Sequence, residues 1–193
     1  MNVLVACEFS GVVRDAFSDR GHMAVSCDLR PSETNGWHYE GDVRDILDDD
    51  WDLVIGFPPC TDTSWSNGKL IHEKRADGRT QSAVQFAKLI SNTGKASAIE
   101  HPYRSDLFYW RRPDQAIHPW QFGDPYIKWT GLWLRGLPHL QPTVEEEPEE
   151  VRYWISVGAG KQGRRGGKGV KRNSLERART FPGIARAMAE AWG

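Results

Sequence analysis

Metal-ligand spacings are missing from this chain. Its three cysteines, Cys7, Cys27 and Cys60, stand at no separation that holds a zinc ion. So sparse and odd a set of thiols also gives no disulfide framework, and it fits a reducing, cytoplasmic compartment. Long hydrophobic runs are missing too. The opening "MNVLVACEF" has no basic leader and is too short for a signal core or a membrane span, so neither secretion nor a membrane partner is expected. Neither sign of charge dominates: 25 Lys and Arg stand against 26 Asp and Glu, so the molecule as a whole is no polyanion binder and any basic surface must be local. Phosphate cradles are absent where they would matter. A dinucleotide enzyme carries G-x-G-x-x-G after its first strand, and that turn here is "CEFSGVV", with Gly11 alone. No G-x-x-x-x-G-K-[ST] occurs either, so P-loop chemistry drops out with dinucleotide hydride transfer.

What is present reads as one domain of 193 residues with a full core. Residues 2–7, "NVLVAC", form a continuous apolar run that suits a strand buried on both faces. "VVRDAFSDRG" has helical spacing with Gly21 as its stop, "HMAVSC" is a second strand, and residues 28–42 are mostly loop. A strand is expected over 52–57, a polar irregular stretch over 61–80, and a helix over roughly 79–92. Further strands follow at 96–100 and 130–134, with a closing helix from Pro182. This alternation predicts an α/β, Rossmann-like fold with a mostly parallel sheet and helices on both faces.

In such a sheet, ligands sit beyond the carboxyl ends of the strands. Those ends carry Glu8 to Gly11, Asp28, Asp42, Phe57 to Cys60, and Glu100. Buried strands have no need of carboxylates along one rim, so the clustering marks a site. A nucleoside cofactor without a phosphate cradle calls for carboxylates: Asp28 to accept from ribose hydroxyls, Asp42 to accept from an adenine amino group. S-adenosylmethionine meets that description, and its sulfonium also favours negative charge nearby. The candidate cofactor-binding residues are therefore Glu8, Phe9, Ser10, Gly11, Asp28, Asp42, Phe57 and Pro58; an ordinary strand-end acid is the alternative for Asp28.

These stretches resemble the DNA cytosine-5 methyltransferases. "VACEFSGVVRDAF" is similar to their first motif, "CD" at 27–28 and "GDV" at 41–43 to the second and third, "GFPPCTDTS" to the catalytic Pro-Cys motif and "IEHP" at 99–102 to the Glu-Asn-Val segment. With "GLWLRGLP" and "RTFPGIA" in the same order, the chain resembles most a compact group of phage and prophage proteins described as cytosine methyltransferase-like. Thr61 stands where the family has Gln, His101 and Pro102 where it has Asn-Val, and Lys128 in the place of an arginine. The resemblance implies a single catalytic domain over 1–193 without a large target-recognition domain, working on DNA in a bacterial or phage-infected cell.

It also implies roles. A thiolate adding to carbon 6 of cytosine makes carbon 5 nucleophilic, and Cys60, on the stiff Pro58-Pro59 ledge, is the candidate nucleophile. It must meet a base flipped out of the helix. Glu100, after the apolar "SAI", would hydrogen-bond N3 of that base, and Lys128 would help fix it. By its own charge, the glycine-rich "KQGRRGGKGVKR" supplies Lys161, Arg164, Arg165, Lys168, Lys171 and Arg172 as candidate phosphate contacts, in a region, 141–175, read as a small DNA-contacting insertion, with a solvated loop as the alternative. Trp65, Lys69, Lys74, Arg75 and Arg79 would close over the base, with Trp65 as packing the alternative. Thr61 and His101, expected to line the site, keep open a different pyrimidine or a different transferred group. A non-catalytic DNA-binding relative is the third reading.

Overall fold

The computed structural model describes residues 1–67, 70–156, 170–172 and 174–193. The apolar runs fold as expected: β1 (Asn2–Ala6), α1 (Val12–Ser18) and β2 (Met23–Asp28) come first. β3 (His38–Glu40) follows, inside the stretch expected to be loop, and then β4 (Leu53–Gly56). The segment 61–80, read as irregular, contains a 3-10 turn (Trp65–Asn67) and α2 (Leu70–Ala76). The inward face of α2 is Ile71 and Lys74, and a buried lysine hides the helical period. Next come α3 (Arg79–Ser91), β5 (Ala96–Pro102), α4 (Leu107–Trp110), β6 (Gln115–Ile117), β7 (Tyr126–Ile127) and β8 (Thr130–Arg135). The region 141–175 contributes β9 (Arg152–Ser156), β10 (Val170–Arg172) and the start of α5 (Ser174–Ala178), and α6 (Pro182–Trp192) ends the chain.

One sheet runs β3-β2-β1-β4-β5-β8-β6, and β7, β9 and β10 form a smaller one. β1 through β5 pair in parallel, and β8 is antiparallel to both its neighbours. This is the doubly wound, Rossmann-like order with one reversed strand inserted before the edge. Alternate residues build two cores. Val3, Val5, Leu53, Ile55, Leu132 and Leu134 point to the side where α1 and α6 bury Phe17, Met188 and Trp192. Leu4, Ala6, Val54, Ile99 and Trp133 point to the side of α3, with Ala87 and Ile90. Gly56 permits that second contact, because a Cβ there would lie 2.7 Å from Ile90 and 2.8 Å from Ile99.

Candidate active site

Because β1, β2, β3 and β4 run the same way, their carboxyl ends share one rim. A cleft of ≈ 360 Å³ opens there. Asp28 and Asp42 stand on its wall with Leu29, Val43, Pro59 and Phe86. Two carboxylates among apolar walls suit a planar base carrying a hydroxylated sugar, so the residues present fit a nucleoside cofactor. Asp42 is already engaged: Arg44 donates its backbone N–H at 3.0 Å and Nε at 2.9 Å to Oδ1. That pairing lowers the Asp42 carboxyl to about 2. Asp28 Oδ1 accepts from the Arg30 N–H at 3.0 Å. The two cysteines on the wall are poor nucleophiles. Burial first, then the negative charge of Asp28, pushes Cys7 up to about 12, and Cys27 likewise.

The turn after β1 faces inward. Glu8 is buried, and its Oε1 accepts from the Val13 N–H at 2.7 Å and the Ser10 hydroxyl at 3.2 Å. Its Oε2 accepts from the Arg14 N–H at 3.2 Å, so this carboxylate caps the start of α1. Gly11 makes the turn at φ 75°, and a Cβ there would lie 2.1 Å from Thr34 Oγ1. Phe9 is buried, with the Arg30 guanidinium 5.5 Å from its ring centre. Phe57 packs against the core and Pro58 is buried; Pro59 is the ledge residue on the cleft wall. Of the eight candidate cofactor residues, then, the structure sets Asp28 and Asp42 on this cleft. The apolar walls Leu29, Val43 and Phe86 carry no signal that singles them out in the sequence.

Cys60, half-buried, begins a tight turn, its carbonyl accepting from the N–H groups of Ser64 at 2.9 Å and Thr63 at 3.3 Å. Lys74 Nζ donates to the Thr61 carbonyl at 2.6 Å and lies 3.1 Å from Asp62 Oδ1. The Thr80 hydroxyl donates to the Asp62 carbonyl at 2.8 Å. His101 is turned inward and completely buried, not on the site wall as expected. Its Nε2 is hydrogen-bonded to Thr63 Oγ1 at 2.6 Å, and its buried Nδ1 has no hydrogen-bond partner among the described residues. Burial, reinforced by the Lys128 charge, lowers the His101 imidazole to about 3. Thr63, Lys74 and Thr80, which sequence reading did not single out for this purpose, thus tie down the Cys60 turn.

Three charges act on the Cys60 thiol. Burial is the largest influence and pushes it up; Lys128 and Arg177 pull it down, and Glu100 pushes it up. Lys128 Nζ lies 3.5 Å from Glu100 Oε1, with the two side chains 21% and 13% exposed, so Glu100 is partly desolvated as its sequence setting suggested. The structure therefore pairs Glu100 with Lys128 and sets both charges near enough to act on Cys60. It does not gather the cationic residues expected over the base. Lys74 is buried under the turn, Arg75 pairs with Asp106, Arg79 pairs with Asp77, and Lys69 lies outside the described residues. Trp65 packs: its ring lies 5.8 Å from that of Tyr109, and its Nε1 donates to Asp106 at 2.6 Å. Lys161, Arg164, Arg165 and Lys168 lie outside the described residues, and Lys171 and Arg172 fall on the backbone of β10.

No protein-family model and no curated protein matches the sequence. Among solved structures, the chain is similar to the Entamoeba histolytica methyltransferase EhMeth. The identity is 16% and the TM-score 0.47, over 77% of this chain and 57% of that one.

Proposed function

We propose that the chain methylates carbon 5 of cytosine in DNA, with S-adenosylmethionine as donor and Cys60 as a transient covalent catalyst. The observation that carries this reading is the Lys128–Glu100 pair, 3.5 Å apart, whose charges both act on Cys60, the residue that follows Pro59 of the Asp28–Asp42 cleft wall.

In this reading Asp28 and Asp42, with the apolar Val43 and Phe86 on the same cleft, would hold the donor's nucleoside. When bound, S-adenosylmethionine supplies an electrophilic methyl group. Cys60 Sγ, as thiolate, bonds to carbon 6 of the base while Glu100, in its acid form, donates a hydrogen bond to N3 and draws electron density away from the ring. The C5–C6 π pair becomes available at carbon 5, which would take the methyl group as the donor's S–CH3 bond breaks and its electron pair stays on sulfur, leaving a neutral thioether. Carbon 5 then loses its proton to water, the C5–C6 double bond re-forms, and the S–C6 bond breaks to return the thiolate. The Lys128 charge favours the thiolate and, 3.5 Å from Glu100 Oε1, holds the Glu100 side chain in place. The anchored turn contributes orientation, since a nucleophile must be held within a few tenths of an ångström of its line of attack.

Trapping on DNA that contains 5-fluorocytosine tests the reading, because fluorine at carbon 5 blocks the last elimination. With donor present, wild type should give a covalent protein–DNA band and Cys60→Ala none. No band from wild type would overturn the covalent mechanism. Mass spectrometry of nucleosides from DNA incubated with the protein should show 5-methylcytosine. A different adduct would transfer the mechanism to another pyrimidine or group, and unaltered bases with DNA still bound would mark a binding protein.

A further inference from the structure

Aromatic side chains outside the cleft form a strip that starts beside the proposed reaction centre. Trp129 follows Lys128, and Tyr103 lies three residues beyond Glu100. Their rings stack at 4.2 Å and 6°, and the Tyr103 N–H donates to the Trp129 carbonyl at 3.0 Å. From Tyr103 the rings continue to Phe108 at 5.9 Å, Trp65 at 6.1 Å and Tyr109 at 5.8 Å. The two ends of the strip are open to solvent, Trp129 43% and Tyr109 71% exposed. At the far end a cleft of ≈ 470 Å³ is lined by Tyr109, Trp110, Arg75 and Lys88.

Cations accompany the rings. Arg104 lies 5.4 Å from the Trp129 ring centre, Arg112 5.6 Å from Phe108 and Arg75 5.5 Å from Tyr109. Arg75 is held by Asp106, but Arg104 and Arg112 are exposed and form no ion pair among the described residues. Ring faces at the surface beside unneutralised guanidinium groups match a ligand with flat aromatic faces and a polyanionic backbone. A duplex presents its phosphates but keeps its base faces stacked; a single strand presents both.

We infer that this strip is a track for an unpaired stretch of DNA, stacking bases on Trp129 and Tyr109 and meeting phosphates with Arg104 and Arg112. The inference rests on the nucleobase substrate proposed above and adds to it that the base arrives in single-stranded or locally opened DNA. Such stacking tolerates any sequence, because every base has a π-face.

Fluorescence anisotropy with a labelled oligonucleotide of about 16 nucleotides, the upper end of single-strand site sizes, tests it. Wild type should bind the single strand more tightly than its duplex. Trp129→Ala should weaken single-strand binding by about ten-fold, and Trp129→Phe, which keeps a ring, should retain most of it. Arg104→Ala should flatten the slope of log affinity against log salt by about 0.7, one phosphate contact on a single strand. Melting curves report whether Trp129→Ala is folded; if it is not, Arg104→Ala decides. Unchanged affinity in a folded Trp129→Ala, an unchanged salt slope in Arg104→Ala, or a preference for duplex overturns the track. Fluorocytosine trapping separates the two proposals. Trp129-dependent binding without a covalent band removes the mechanism and keeps the track, whereas a band that forms equally in Trp129→Ala removes the track and keeps the mechanism.

Discussion

At full burial the His101 imidazole is hydrogen-bonded through Nε2 to Thr63 Oγ1, within the turn that presents Cys60. Charging it there would place a cation in an apolar interior close to Lys128, so the folded protein keeps it neutral down to about 3. In the unfolded chain the same imidazole takes a proton near about 6.5. Between those values the unfolded state holds a proton that the folded state refuses. The contribution is complete above the unfolded value and is lost as pH falls, by up to about 1.4 kcal/mol per pH unit. Urea unfolding from about pH 6.5 to about pH 4 should therefore show wild type losing roughly 3 kcal/mol more than His101→Gln. Buried Glu8, whose pKa burial raises, is common to both proteins and cancels in the difference. Parallel stability curves would show that His101 is not the buried neutral group described.

At the scale of elements, one buried side chain ties the loop between β2 and β3 to α1. Arg14, on α1, has no exposed surface, yet its guanidinium is fully matched. Nη1 donates to Ser26 and Ser32 at 3.1 Å each, Nη2 donates to the Asn35 carbonyl at 3.0 Å, and Nε donates to Asp15 at 2.8 Å. Arg14→Met keeps the length of the chain but removes these bonds and leaves the buried Ser26 hydroxyl with His38 alone, at a cost of about 3 kcal/mol in urea unfolding. Arg20→Met, which removes an exposed pair with Glu190 at 3.6 Å, should cost less than about 0.5 kcal/mol. Amide exchange over residues 30–36 should quicken in the first variant alone. The elements legible in the sequence are those whose burial shows as composition: β1, β4 and β8 read as apolar runs, and α6 carries a regular stripe after Pro182. The short β3 did not, since His38, Tyr39 and Glu40 lie at a polar edge, and neither did α2, whose buried Lys74 looks like a surface residue. The site divides the same way. Cys60 and Glu100 announce themselves by what precedes them, a stiff ledge and an apolar strand. The inward turn of Glu8 onto α1, the Lys74 bond to the Thr61 carbonyl and the Arg44 clasp on Asp42 depend on where the backbone travels, and no spacing encodes that.

For the molecule as a whole, the alternation along each strand separates the apolar interior into two cores with the sheet between them. Met188 of α6 and Ile90 of α3 are both completely buried, one in each core. Removing either side chain to alanine should cost about 2 to 5 kcal/mol, transfer free energy plus the cavity left behind. The two costs should combine in a particular way. Substitutions that share no neighbours add to within about 0.5 kcal/mol, whereas those linked by a common cavity or a yielding backbone do not. The backbone between these residues is the hydrogen-bonded centre of the sheet, β1 paired with β4 and β4 with β5, and it deforms little when one face loses a side chain. The double variant Met188→Ala, Ile90→Ala should therefore be destabilised by the sum of the single variants, with an unchanged denaturant slope. A shortfall of a kilocalorie or more, on the order of what contacting residues show, would mean that the sheet transmits strain from the α6 side to the α3 side. The rim that carries Cys60 would then shift with repacking on either face. Additivity would instead show the rim to be a fixed platform, as the proposed covalent mechanism requires.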